Sequence, residues 1–228
     1  MRIDLSREIT MQFLDELDDF LAMTRLGETW SEKLYGLRDA RRYVRPFLEQ
    51  TLGDVQMFND IAPDSDWWEC AIESLEYFRE KFRVTCPIEL VRDAPSCHDR
   101  NVGNLAYACC YEVTSTEPVI YSSEIAVQNL SAFVNNTPPI NQLIGGIAHE
   151  VWHAYQHQLA RNFLCMTDNV VDLEQIDPTD DKNRGAIYAL SNMILYRQPC
   201  CRNDSLYRFQ ICEAEAYYIQ DKITAVLM

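Results

Sequence analysis

The chain has 228 residues, 47% of them apolar and 11% aromatic, enough for one domain with a substantial core and no need of staples. A formal net charge of -15 would repel a phosphate backbone and argues against DNA or RNA as partners. No stretch approaches the roughly 20 apolar residues of a membrane-spanning helix, and the acidic start does not read as an export signal.

Nine cysteines, an odd number, include two adjacent pairs and no C-x-x-C, so neither a zinc ribbon nor a regular disulfide framework is spelled out. Buried thiols in a reducing cytoplasm are the expectation. A second metal site from Cys86, Cys97 and His98 fits no familiar ligand spacing.

In chain order, apolar residues at three and four spacing predict helices over 7–26, 30–52 and 66–82, the last capped by Asp66. The acids of the first, Asp15, Glu16, Asp18 and Asp19, read as a solvated face. After Cys86-Pro87 the period changes, and "PIELVRD", "NLAYACCYEV" and "PVIYSS" are expected as strands. "SSEIAVQNLSAFV" is expected as a short helix. "NNTPPINQLIGGIAHEVWHAYQHQLARNF" is expected as a long one, with Thr137 as cap and Pro138 at its first position. The segment 167–184 lacks periodicity and reads as a loop, followed by helices over 183–196 and 204–227. The sum is an α+β chain, mostly helical with a small sheet. Residues 1–84 form a helical region expected to pack on the same domain as 85–228.

The long helix carries His149-Glu150-x-x-His153. Side chains turn by about 100° per residue, so the two histidines lie about 40° apart on one face and can reach one ion. Glu150, rotated by about 100°, stays out of the ligand set and can face a water. His157 lies about 12 Å along the axis from His149 and is expected at the margin of the site or near substrate. Ile144, Ala148, Val151, Trp152, Tyr155 and Leu159 fall on the opposite, apolar side. Gly145 and Gly146 open room for a packed strand or a substrate. Hydrogen-bonded polar residues on an amphipathic helix would explain the histidines more simply, but four histidines in the whole chain make a chance H-E-x-x-H rare.

A catalytic zinc takes three protein ligands and keeps one position open. The C-terminal "RFQICEAEAYYIQ" offers Glu213 and Glu215 in apolar company, where a carboxylate needs a partner. They point about 200° apart on a helix, so one of the two can face the histidines.

His149-Glu150-x-x-His153, followed about sixty residues later by Glu213-x-x-Ala216, resembles the gluzincin branch of the zincin metallopeptidases. The resemblance implies a zincin-like fold over 85–228, with a small mixed sheet beside the active-site helix and its edge strand binding peptide. It implies zinc held by His149, His153 and Glu213. Several gluzincins carry an aspartate four positions after the ligand glutamate to orient a histidine, where this chain has Tyr217; Glu215 is the alternative ligand.

The expected reaction is peptide-bond hydrolysis of a peptide or protein substrate by zinc-bound water of pKa about 7, with Glu150 as general base. Tyr188, Tyr207, Arg208 and Tyr217 are the candidate donors to the tetrahedral oxygen. The main rival is a non-catalytic zincin-like module that binds another protein. A third is an acidic helical interaction module whose motif is accidental.

Overall fold

The computed structural model describes residues 2–4, 37–60, 66–92, 104–113, 118–128, 130, 133, 139–165, 170–172, 180–193, 207 and 210–228. Among these residues the fold is α+β, mostly helical, with five α-helices and a small mixed three-stranded sheet. The helix expected over 7–26, the cap Thr137 and Pro138 lie outside the described residues. No described helix is long and apolar enough to cross a membrane.

The chain divides into two compact units, and each draws on residues from both sides of position 84. Unit one is Met1–Tyr43, Glu112–Val119 and Gln156–Glu215; unit two is Val44–Tyr111, Ile120–Tyr155 and Ala216–Met228. Helices α1 (Leu37–Thr51), α3 (Pro139–Leu164) and α5 (Ile211–Val226) contribute residues to both.

In unit one, β1 (Arg2–Asp4) pairs antiparallel with β5 (Val170–Asp172), Ile3 opposite Val171. Neither strand was expected, since the first third read as helical and 167–184 as loop. Three residues are too few to show a period of two, and the ladder is made between distant parts of the chain. Helix α4 (Asp181–Met193) starts inside the expected loop, and residues 194–196 of the expected helix lie outside the described residues. Its middle, Arg184 to Ser191, is buried throughout. Gly185 makes the fit against the end of α3: a Cβ there would stand 2.7 Å from the carbonyl oxygen of Leu159 and 3.0 Å from Phe163 Cβ.

In unit two, α2 (Trp67–Lys81) begins at the expected cap, with Asp66 Oδ1 accepting from Trp68 N–H at 2.8 Å. It buries Cys70, Ala71, Ser74, Leu75 and Phe78. At its other end Arg83 takes a φ of 57°, its N–H donating to the Glu80 carbonyl and that of Val84 to Arg79. Those two bonds close a Schellman motif around a residue that is not glycine. The sheet has the order β2 (Glu89–Arg92), β4 (Pro118–Gln128), β3 (Asn104–Val113), so β3 is an edge. β2 runs parallel to β4, with Leu90 opposite Ile125.

The helix expected from 122 onward is corrected here, because β4 continues through Gln128. Ser123, Ile125 and Val127 are buried while Ser122, Glu124, Ala126 and Gln128 are half-buried. That alternation is the period of a strand, and two β-branched residues fill the more buried face.

Trp152 on α3 anchors the core of unit two. Its ring lies 5.1 Å from that of Phe47, 5.2 Å from Phe82 and 4.8 Å from Tyr155, centroid to centroid. Such pairs add about 0.5–1.5 kcal/mol each beyond the area they bury. They fix the apolar side of the helix that carries the histidines.

Candidate metal centre

Helical spacing carries the two motif histidines onto one face of α3, as expected. Their Nε2 atoms lie 3.1 Å apart, with ring centroids 4.8 Å apart and planes at 79°. As free imidazoles they share one N–H···N hydrogen bond. Two nitrogens on one tetrahedral zinc, at about 2.0–2.1 Å each, would stand about 3.3 Å apart. The observed separation therefore fits a shared cation with almost no movement.

A carboxylate oxygen of Glu150 belongs to the same group, in which all three candidate ligand atoms lie within 4.8 Å of one another. Two imidazoles are donors that suit zinc among divalent metals, and the Glu150 carboxylate lies close enough to face a water on such an ion. The chemistry side of α3 is more enclosed than an amphipathic helix implies: His149 is 6% and Glu150 8% exposed, while His153 is half-buried.

Glu150 does not hang free in this enclosure. Its Oε2 accepts from the backbone N–H of Tyr107 at 2.9 Å. Tyr107 is on the edge strand β3, so the bond ties the motif glutamate to the sheet edge. A hydrogen bond to a carboxylate is shorter and stronger than one between neutral groups and fixes its rotamer. Sequence reasoning missed Tyr107, and no signal could have found it, since any residue except proline supplies a backbone N–H. The Tyr107 hydroxyl lies 3.1 Å from Ser123 Oγ, and burial pushes its phenol far above the ordinary value.

Glycines bring the neighbours close. A Cβ on Gly146 would stand 2.8 Å from Leu105 Cδ1 of β3, and one on Gly145 would stand 3.2 Å from the Gln220 carbonyl of α5. Of the two uses foreseen for these glycines, close packing is the one observed. One turn further along α3, the ring of Tyr217 lies 4.7 Å from that of His149, at 76°.

The two glutamates of α5 belong to unit one. Glu215 is fully buried and ion-paired with Arg184, which is also fully buried. It accepts further hydrogen bonds from Gln156 Nε2 at 2.9 Å and Tyr188 Oη at 2.6 Å. Tyr188 in turn accepts from Arg184 Nε at 3.1 Å, and the guanidinium stacks 4.4 Å over the Tyr43 ring. Two candidates, Glu215 and Tyr188, thus serve one buried network around Arg184.

Glu213 is 2% exposed in the first turn of α5. Its neighbour Cys212 has its thiol pushed up by burial first and by the charge of Glu213 second. His157 is half-buried on α3 and Tyr207 is half-buried, its carbonyl accepting from Gln210. Arg208, Cys97 and His98 lie outside the described residues; Cys86 is buried with a free thiol.

Compared with protein-family models, curated proteins and solved structures, the chain matches none. What it does must be argued from its own side chains.

Proposed function

We propose that the chain is a zinc-dependent metallopeptidase of the gluzincin type, with His149, His153 and Glu213 as ligands and Glu150 as general base. One observation carries the reading: the Nε2 atoms of His149 and His153 converge to 3.1 Å with the Glu150 carboxylate in the same cluster. Packing alone gives no reason for three ionisable groups to converge in a nearly buried place.

For the third ligand, Glu215 has its buried cation in Arg184, so the choice between the two glutamates falls on Glu213.

Zinc at such a centre supplies Lewis acidity, polarising a substrate carbonyl and making water acidic enough to lose a proton near neutral pH. The rest falls to the chain. Glu150 takes the proton from the attacking water and passes it to the departing amine. The Tyr107 N–H holds one oxygen of that carboxylate and so orients the base. An extended peptide added along the β3 edge would run past the base, with backbone hydrogen bonds supplying affinity.

The test is hydrolysis of a peptide library by purified, zinc-loaded protein, with Glu150→Gln beside it. Zinc-dependent cleavage by the wild type, lost in Glu150→Gln while the zinc stays, supports the assignment. A zinc-loaded protein that cleaves nothing points instead to a non-catalytic binding module. Cleavage undiminished in Glu150→Gln removes Glu150 from its role.

A further inference from the structure

We infer that Tyr217 is the positioning residue for His149, acting through its ring and not its hydroxyl. The inference rests on the metal-centre reading above and adds how the first ligand is held. A metal-binding histidine needs its ring orientation fixed from outside the ligand set, usually by a hydrogen bond to its second nitrogen.

For His149 the structure shows a ring contact. The His149 ring has two aromatic neighbours, Tyr217 at 4.7 Å and His153 at 4.8 Å, and meets both nearly perpendicularly, at 76° and 79°. Two ring contacts of this kind restrict rotation of the imidazole about its Cβ–Cγ bond. Edge-to-face packing is itself favourable at this spacing.

Tyr217 is firmly mounted. Within unit two, α5 is pinned to α3 on the far side of Tyr217 by three contacts. Gly145 admits the Gln220 carbonyl, Thr224 Oγ1 donates to the Asn141 carbonyl at 3.3 Å, and Asn141 Nδ2 donates to the Leu227 carbonyl. The backbone that carries Tyr217 is therefore set by the helix pair. The ring then transmits that placement to His149.

The experiment measures zinc affinity by competition with a chromogenic chelator for the wild-type chain and for Tyr217→Phe, Tyr217→Leu and Tyr217→Met. Melting temperatures of the zinc-free proteins are recorded in parallel. Phenylalanine keeps the ring and is expected within about threefold of wild type, while leucine and methionine weaken zinc binding by about 10–100-fold. The zinc-free melting temperatures should change much less than the increment that zinc adds. Two non-aromatic variants guard against one that misfolds. Leucine and methionine variants as tight as wild type would overturn the inference and leave the metal centre standing. A phenylalanine variant as weak as leucine would assign the effect to the hydroxyl and overturn it too. A wild-type chain that binds no zinc would remove the metal centre and this role with it.

Discussion

Arg184 and Glu215 form an ion pair in which both side chains are completely shielded from solvent. Removing one partner of a buried pair leaves the other charged and unpaired, at a cost of about 3–5 kcal/mol. Glu215→Ala should lower the unfolding free energy by that order in urea titrations of zinc-free protein. Glu213→Ala, under the same conditions, should cost clearly less while abolishing tight zinc binding. If Glu215→Ala were the variant that lost zinc at little cost in stability, the roles given to the two glutamates would be reversed.

The end of α2 offers a gain instead of a loss. Arg83 is exposed and sits at a φ of 57°, a conformation that costs an ordinary L-residue about 1 kcal/mol and glycine almost nothing. The Schellman hydrogen bonds from Arg83 and Val84 need no side chain at this position. Arg83→Gly should raise the stability by up to about 1 kcal/mol. A lower melting temperature for that variant would show that the arginine side chain matters more than the backbone.

Close approach of helices should make two glycines intolerant and leave a third permissive. At Gly185 an added Cβ meets the Leu159 carbonyl and Phe163 Cβ, and at Gly145 it meets the Gln220 carbonyl and Thr224. Alanine at either should cost about 1–3 kcal/mol through overpacking. At Gly146 the obstacle is the end of the Leu105 side chain, which can rotate away. Gly146→Ala should stay within about 1 kcal/mol of wild type, helped by its better helix propensity. Thermal melts of the three variants give the ranking, and equal effects would refute this view of the packing.

Alkaline lability follows from Cys70. Burial, the largest cause, pushes its thiol from 9.0 to about 11. Well below pH 9 the thiol is protonated in both states and its contribution is constant. Between pH 9 and 11 the unfolded chain ionises first, so stability falls as pH rises, by at most about 3 kcal/mol for a shift of this size. In Cys70→Ala the decline between pH 8 and 11, measured by denaturation under reducing conditions, should be shallower. Tyr77, pushed up to about 12 chiefly by burial, adds a similar slope to both proteins and cancels in the comparison. Parallel curves would rule out Cys70 as the cause.

Local signals in the sequence proved legible. Asp66 caps α2 as its side chain and spacing suggest, and the motif spacing brings His149, Glu150 and His153 together. What escaped was non-local. β1 and β5 are too short to show a pattern and depend on each other's edge. Ser123, Ile125 and Val127 share the more buried face of a strand, but a polar Ser123 on that face and an apolar Ala126 on the other blur the period of two, and the run passes for a helix. Arg184 became intelligible only when Glu215 was found beside it. The Tyr107 bond to Glu150 is made by a main-chain atom and leaves no trace in residue identity.

The most direct test of the account is elemental analysis of zinc on untagged protein purified without chelator, with His149→Ala, Glu150→Gln and Glu213→Ala beside the wild type. About one zinc per chain is expected in the wild type and in Glu150→Gln, and a large loss in His149→Ala and Glu213→Ala. A wild-type chain without zinc, even after zinc is added back, would contradict it. Zinc retained in full by His149→Ala would contradict it as well.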